Sequence, residues 1–415
     1  MGLTSADERT GRVTVRDVVW IGIDAGKASH HAAAVDADGR LVWSVKVANE
    51  QQRIEELIAR AAGSASEVRW AVDLVSPMAS LLLAVLLTSG QDVVYVPGQM
   101  VSGLAGALGG EGKTDAKDAR VIAGIARMRR DLAPITATDE LVVELARLTS
   151  HRADLMAGWV RGVNRLRELP GSIFPALEAA FDYSTRSALI LVTGFCTPAE
   201  VRQAGQDGLT AYLTEHGAWR KGISAMAATA MQAAAAQTVT LPGEATTAML
   251  VRQLARKLLD LDREIKDTGK LITSRCRAHP QAAIIESLPG MGPILGAEFL
   301  AAAGGDARAA FGRPARLASY AGLVPVPKDS GRVTGNWRRP RRYNRALRRV
   351  FYMAALSSLR TDGPSKTFYQ RKRAEHRLHT QALLALARRL VDVLWALLRD
   401  NRTFSPAPPV IADAA

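Results

Sequence analysis

The sequence predicts an α/β domain followed by an all-α remainder, and three observations point to it. Up to residue 96 the apolar residues come in five runs of strand length, three close together and two more set apart by helical patterns. From residue 141 onward they recur mostly at spacings of three and four. At Arg308 the composition turns strongly basic and stays so to Arg373.

Val18-Val19-Trp20-Ile21-Gly22-Ile23-Asp24 is a short apolar run ending in an acid, the pattern of a buried strand. Residues 31–35 and 41–47 read as two more strands, and Asp36-Ala37-Asp38-Gly39 between them as a hairpin turn. Helical spacing follows over 52–62, with Ile54, Leu57, Ile58 and Ala61 on one face. Residues 68–73 form a fourth strand, again ending in an acid, and a helix at 79–87 leads to a fifth strand at 92–96. A three-strand meander followed by two strand-and-helix crossovers is the ribonuclease H-like plan, in which the first and fourth strands lie side by side. This adjacency puts Asp24 and Asp73 at neighbouring strand ends, the usual edge for chemistry in such sheets. Asp36 and Asp38 are turn residues.

Gly112-Lys113-Thr114-Asp115-Ala116-Lys117-Asp118-Ala119 admits two readings. Gly-Lys-Thr can end a phosphate-binding loop, but such a loop needs glycine at 107, where the chain has alanine. Asp115 and Asp118, by contrast, stand about one helical turn apart, so both carboxylates face the same side of a helix. Thr114 is then the N-cap, with Asp115 in the first turn and Lys113 and Lys117 as candidates for a phosphate contact. No single Asp is informative, since an acid at a strand end is more often a turn former or a cap. Four converging on one edge are. Asp24, Asp73, Asp115 and Asp118 can hold two Mg²⁺ ions, which take oxygen ligands and can clamp the attacking and leaving oxygens of a phosphodiester.

The middle of the chain, 141–278, is helical and chemically quiet. Leu250, Leu254, Leu258, Leu261, Ile265 and Ile272 follow coiled-coil spacing, which fits either a dimerisation helix or a long helix packed within its own monomer. Residues 225–236 are alanine-rich and read as a helical spacer. Pro289-Gly290-Met291-Gly292-Pro293 resembles a helix-hairpin-helix turn, whose glycines let backbone N–H groups approach a phosphate. Further on, Ser330 stands between Asp329 and Gly331 in a loop. Asp-Ser-Gly is ordinarily a turn, and no His lies nearby to activate the serine, His376 being the closest downstream. Beyond it Arg338, Arg341, Arg342, Arg345, Arg348 and Arg349 recur at three and four, one helical face of guanidinium groups. With Arg332 and Arg339 they suit phosphate contacts, while Trp337 and Tyr343 can stack on bases or simply pack.

The bulk numbers agree. A chain of 415 residues, 48% hydrophobic, can bury two or three cores. Its net charge of +14 calls for an acidic partner, and between Arg308 and Arg373 seventeen Lys and Arg face only Asp329 and Asp362. Two cysteines, Cys196 and Cys276, are too few for a disulfide framework or a cysteine-rich zinc site. No signal-peptide core and no charge-free spanning stretch are present, so the expectation is a cytoplasmic protein without membrane contact.

Together, Gly22-Ile23-Asp24, Asp73, the 112–119 string, the Pro-Gly-Met-Gly-Pro turn and Tyr320-Ala321-Gly322-Leu323 leading to Ser330-Gly331 resemble the DEDD-type transposases of the insertion-sequence-110 family. These include minicircle-type elements and are also called bridge-RNA-guided serine recombinases. The resemblance runs from about Val18 to about Leu359, and Lys-Thr-Asp-Ala-Lys-Asp-Ala is its most specific part. It implies a RuvC-like metal-binding domain (17–140), a helical coiled-coil connector (141–278) and a mainly helical C-terminal transposase domain (279–400), leaving 401–415 as a disordered tail. In that family the acids bind Mg²⁺ and a serine forms a covalent phosphoserine link to DNA; by motif position these roles fall on Asp24, Asp73, Asp115, Asp118 and Ser330. One departure is Asp73, where the family has Glu, a ligand longer by one methylene.

The expectation is therefore a Mg²⁺-dependent DNA transposase acting on donor and target DNA as a homo-oligomer, a dimer or tetramer, with a structured guide RNA. The alternative is a RuvC-like endonuclease or junction resolvase using activated water, with Ser330 a plain turn. An ATP-using enzyme of the actin and sugar-kinase type shares the opening Gly22-Ile23-Asp24-Ala25-Gly26 but needs a later phosphate loop that is missing. A non-catalytic nucleic-acid-binding protein would use the same acids merely as helix caps.

Overall fold

The computed structural model describes residues 16–73, 79–107, 114–135, 139–332 and 334–406. Two compact units divide at Ala137 and Thr138.

In the first unit β1 (Arg16–Asp24), β2 (Ser29–Val35) and β3 (Leu41–Ala48) form the expected meander, followed by α1 (Gln51–Ala62), β4 (Ala65–Val72), α2 (Ser80–Thr88) and β5 (Val93–Tyr95). Then come α3 (Gly98–Ala107), α4 (Asp115–Met128) and a two-residue β6 (Ala133–Pro134). The sheet order is β3-β2-β1-β4-β5-β6, with β1 parallel to β4, so the first and fourth strands are neighbours in a ribonuclease H-like sheet. Strand β6, antiparallel to β5, was not anticipated: two residues with a proline carry no periodicity. Both sheet faces are covered. Val19, Ile21, Ile23, Trp70 and Val72 pack with Ile54, Leu57, Leu82 and Leu86 of α1 and α2. Ala71 and Val96 pack on the opposite side with Val121, Ile122 and Ile125 of α4.

The second unit is helical apart from one small ribbon. Helices α5 (Glu140–Ile173) and α10 (Glu244–Arg277), 34 residues each, run antiparallel, since Gly162 meets Leu258, Gly158 meets Leu261, and Glu144 pairs with Arg275. Of the expected seam, Leu258 and Leu261 face α5 within the chain, while Leu250 is exposed. Each end of this pair feeds a different core. At one end α6 (Pro175–Ala180), α7 (Arg186–Gly194), α8 (Pro198–Glu215) and α9 (Ile223–Ala235) surround Leu166, Leu189, Leu209 and Val251. The alanine-rich α9 is part of this core rather than a spacer: Ala227, Ala230 and Ala234 are fully buried, their small side chains letting helices approach closely.

At the other end Leu145, Ile272 and Cys276 join α11 (Ala282–Ser287), α12 (Pro293–Ala303), α13 (Ala307–Phe311) and α14 (Pro314–Tyr320). The ribbon of β7 (Val326–Pro327) and β8 (Trp337–Arg338) leads on to α15 (Arg345–Ser357), α16 (Pro364–Ala374) and α17 (His379–Arg399). The Pro-Gly-Met-Gly-Pro turn belongs to this core. Gly290 has φ +80, and a Cβ there would lie 2.0 Å from the Ala354 carbonyl oxygen, so this glycine serves a backbone contact with α15 rather than an open phosphate cradle. Ordered chain continues past the expected boundary at 401: Phe404 packs on the core and its N–H donates to Ser287 Oγ at 2.9 Å. The rest of the expected tail, 407–415, lies outside the described residues. Among the described residues no helix is long and apolar enough to cross a membrane.

Candidate active site

Alternation along β1 decides where Asp24 points. Val19, Ile21 and Ile23 fill the core under α1 and α2, so Trp20, Gly22 and Asp24 belong to the α4 face. On β4 Trp70 and Val72 share that first core and Ala71 the second; Asp73, one residue past the strand, continues the side of Ala71. Ile23 pairs in register with Val72. Asp24 and Asp73 thus leave the same edge of the sheet from adjacent strands, on the same face.

Helix α4 comes to that edge through a glycine. A Cβ on Gly22 would lie 2.2 Å from the Ala119 carbonyl oxygen and 2.3 Å from the Ala123 nitrogen, so only glycine lets the helix backbone rest on the strand. Near the other end Arg127 donates to the Ala37 carbonyl at 2.9 Å, in the β2–β3 turn, beside the start of β1. The helix therefore runs antiparallel to β1, and its first turn lies toward the end that carries Asp24. Thr114 caps it as expected, its hydroxyl accepting the Lys117 N–H at 3.2 Å. Asp115, Asp118 and Ile122 share one helical face, and Ile122 is fully buried at the Gly22 contact. Asp115 is exposed; Asp118, Asp24 and Asp73 are half-buried. Lys117 is half-buried on the same helix, and Lys113 lies outside the described residues.

An all-carboxylate donor set suits a hard divalent cation. Among the described residues, however, no three His, Cys, Asp or Glu side chains stand close enough together to share an ion. The acids share an edge without closing into a cage.

Ser330 is exposed at the open end of the β7–β8 ribbon. Two bonds close the loop around it: the Lys328 N–H donates to the Asn336 carbonyl at 2.8 Å, and Asp329 Oδ1 accepts the Asn336 N–H at 3.1 Å. Gly331 (φ +54) and Gly335 (φ +79) supply the left-handed positions. Asp329 shapes the loop that presents Ser330. Beyond the ribbon Tyr343 rests on Gly322, where a Cβ would lie 2.5 Å from Tyr343 Cγ. This explains the Tyr-Ala-Gly-Leu motif: Gly322 is the floor on which Tyr343 sits, and its carbonyl accepts from Arg348 Nη1 at 2.5 Å.

The arginines do not form one helical face. Arg338 is in β8, and α15 begins only at Arg345, where Asn344 caps it by accepting the Leu347 N–H at 3.0 Å. Pro340 keeps the residue before it out of the helical region, so the spacing of three and four crosses a strand and a turn before the helix begins. Their roles divide accordingly. Arg348 is half-buried over the Tyr343 ring, 5.0 Å from its centre, and burial pushes its guanidinium below the usual range. Arg349 pairs with Glu298 of α12, and Arg339 holds the Tyr343 hydroxyl, whose pKa it lowers. Arg332, Arg338, Arg341, Arg342 and Arg345 are exposed with no ion pair among the described residues, as is Trp337 at 64% exposure.

The IS110 DEDD transposase model matches residues 21–175, and the model described as the transposase IS116/IS110/IS902 family matches 282–370. The chain is 53% identical to the 44.8 kDa protein of insertion element IS116 of Streptomyces clavuligerus, over 97% of this chain and 100% of that protein. It is 50% identical to the 42 kDa protein of IS900 of Mycobacterium paratuberculosis, over 95% of this chain and 99% of the other. This chain belongs to the IS110 family of transposases. A RuvC from T. thermophilus in complex with a Holliday junction substrate aligns with 28% of the transposase and 99% of its own chain, at 16% identity and TM-score 0.22.

What sequence reasoning missed in the transposase are the residues that position others. Gly22 carried a readable signal, a glycine inside an apolar strand. Asp329, Gly322 and Tyr343 were visible as a turn residue, a motif glycine and an aromatic among arginines, but not their partners, which lie in turns whose pairing no periodicity reports.

Proposed function

We propose that this transposase cuts and rejoins donor and target DNA with Ser330 as nucleophile and a Mg²⁺ site built from Asp24, Asp73, Asp115 and Asp118. The observation that supports it is the β1–β4 register, which ends Asp24 and Asp73 on adjacent strands, with Gly22 seating α4 so that its first turn runs toward that end. Bound there, Mg²⁺ would offset charge on the reacting phosphate. Asp73, shorter than Glu, suits this role because it leaves β4 one residue beyond the paired Val72 and on the face of α4. Ser330 Oγ attacks phosphorus and displaces a deoxyribose oxygen, which leaves with a proton; the phosphoserine bond conserves the energy of the broken phosphodiester for rejoining. Exposed Arg332, Arg338, Arg341, Arg342 and Arg345 hold phosphates on either side. The basic excess also suits a structured guide RNA supplied by the element, and an oligomer of the chain would synapse the two DNAs.

The test is junction formation from donor and target plasmids, with the element's non-coding flank supplied as RNA. Asp24→Asn, Asp118→Asn and Ser330→Ala should each abolish junctions while DNA retention on a filter persists. Junctions formed by Ser330→Ala at the wild-type rate would leave the activated-water reading in its place.

A further inference from the structure

Far along the α5–α10 pair from the serine ribbon, the helical lobe has a cavity of about 570 Å³ that takes no part in the proposed strand transfer. Phe181, Ile223 and Met226 make its apolar wall; Thr185 and Thr229 add hydroxyls. At its rim Trp219 is 68% exposed, the highest exposure of any tryptophan among the described residues. This indole is held in place: its backbone N–H donates to Ser187 Oγ at 3.0 Å, and its ring lies against Gly222, where a Cβ would meet Cε3 at 2.7 Å. A large aromatic fixed from below and open above loses little entropy on receiving a flat partner.

Charge around the rim narrows the partner. Arg186 lines the cavity, Arg220 and Lys221 follow Trp219 directly along the chain, and all three are exposed with no ion pair among the described residues. The acids nearby in sequence are Asp182, whose carboxylate is taken by the Ser184 N–H and hydroxyl at 2.9 and 2.8 Å, and Glu215, which is exposed at the end of α8. An aromatic platform, an apolar slot and three unpaired cations together fit a flat, partly apolar ligand with repeated negative charge. The slot has room for an unstacked base and is too narrow for a duplex.

We infer that this lobe binds single-stranded nucleic acid, with a base stacked on Trp219 and entering the slot, and its flanking phosphates on Arg186, Arg220 and Lys221. This is a second nucleic-acid contact, distinct from the ribbon, and it rests on the reading of the chain as a nucleic-acid enzyme. Double-stranded segments pass it by, and loops or displaced strands are retained.

The experiment uses the full chain carrying Trp337→Phe, which removes the other exposed indole, titrated with twelve-residue oligothymidylate and oligouridylate. Tryptophan emission should be quenched on binding, and adding Trp219→Phe should abolish the quench. Trp219→Ala, and separately Arg186→Ala with Arg220→Ala, should weaken single-strand affinity about tenfold, within what one base–aromatic stack supplies, and leave duplex affinity unchanged. A quench that survives Trp219→Phe, or single-strand affinity unaltered in Trp219→Ala, overturns the inference. So does emission that depends on protein concentration and ignores oligonucleotide, which would mean that a second copy covers the indole. Wild-type chain that retains duplex but not single strands overturns the pocket alone; failure to retain either counts against the nucleic-acid reading as a whole.

Discussion

The acids and the serine are presented by opposite kinds of structure. Asp24 and Asp73 follow strand ends that are buried, Ile21 to Ile23 and Trp70 to Val72, and Asp118 extends a helix whose next turn is locked on Gly22 by backbone contact. Ser330 sits on two short strands with exposed side chains, held by Asp329 and by the seat of Tyr343 on Gly322. A group that must fix a metal is served by a packed scaffold, because small displacements change coordination. A nucleophile that must reach a phosphodiester in a bulky duplex is served by projection. The contrast says where each half is vulnerable: the first in its packing, the second in its local turn chemistry.

The largest effect should come from Gly22→Ala. Its Cβ would strike two helix backbone atoms that cannot swing away, so the substitution should cost about 3 kcal/mol and unseat α4. Limited proteolysis should then cut within 114–128, with junction formation lost. A first unit as resistant as wild type would mean that this contact does not hold the acids.

Gly322→Ala attacks the other half. Left-handed φ plus the clash with Tyr343 should cost about 2 kcal/mol and loosen the ribbon. Proteolysis should move to 326–345, leaving α4 protected. If α4 is exposed as well, the two regions are not independent.

Arg349→Met tests the support beneath the arginine segment. Glu298 is mostly buried, which pushes its carboxyl above the usual range, and Arg349 opposes that push. With a raised folded pKa, Glu298 contributes stability at low pH that is lost as pH rises through the folded value. Removing Arg349 raises that value further, so the variant should be near wild type at about pH 4 and lose about 1–2 kcal/mol by about pH 8, a figure discounted for the exposure of Arg349. Equal destabilisation at both ends of the range would show that the loss is packing alone.

The smallest stability effect and a selective binding effect belong to the free arginines. Replacing Arg341, Arg342 and Arg345 with Ala should alter stability by less than about 0.5 kcal/mol and lower the salt dependence of duplex binding by about one unit for each phosphate no longer neutralised. Arg348→Ala should do the reverse, since Arg348 is tied to Gly322 and Tyr343.

The acid half was readable in the sequence for the reason that makes it rigid. Strands buried on both faces read as continuous apolar runs, a cap announces a helix, and so Asp24, Asp73, Thr114 and Asp118 fell at predictable places. The serine half was readable only as residues. Spacing of three and four from Arg338 to Arg349 imitates a helix, yet Pro340 and the Asn344 cap break it, and tertiary contacts then tie Arg348 to Gly322 and Tyr343 and Arg349 to Glu298. Alanine-rich α9 misled in the same way: composition suggested a spacer, and only tertiary packing shows why small residues are needed there. Both cysteines are free, buried thiols, and burial pushes them up to about 12 for Cys196 and about 11 for Cys276.

The central claim, that acids and serine do different parts of one reaction, is tested most directly by locating the covalent link. Wild-type transposase trapped on a nicked suicide substrate in Mg²⁺, digested and sequenced by mass spectrometry, should carry its nucleotide on the peptide containing Ser330. Asp118→Asn should yield no such peptide although it still binds the substrate. A nucleotide on any other residue, or cleavage with no protein–DNA bond at any time point, would contradict the account.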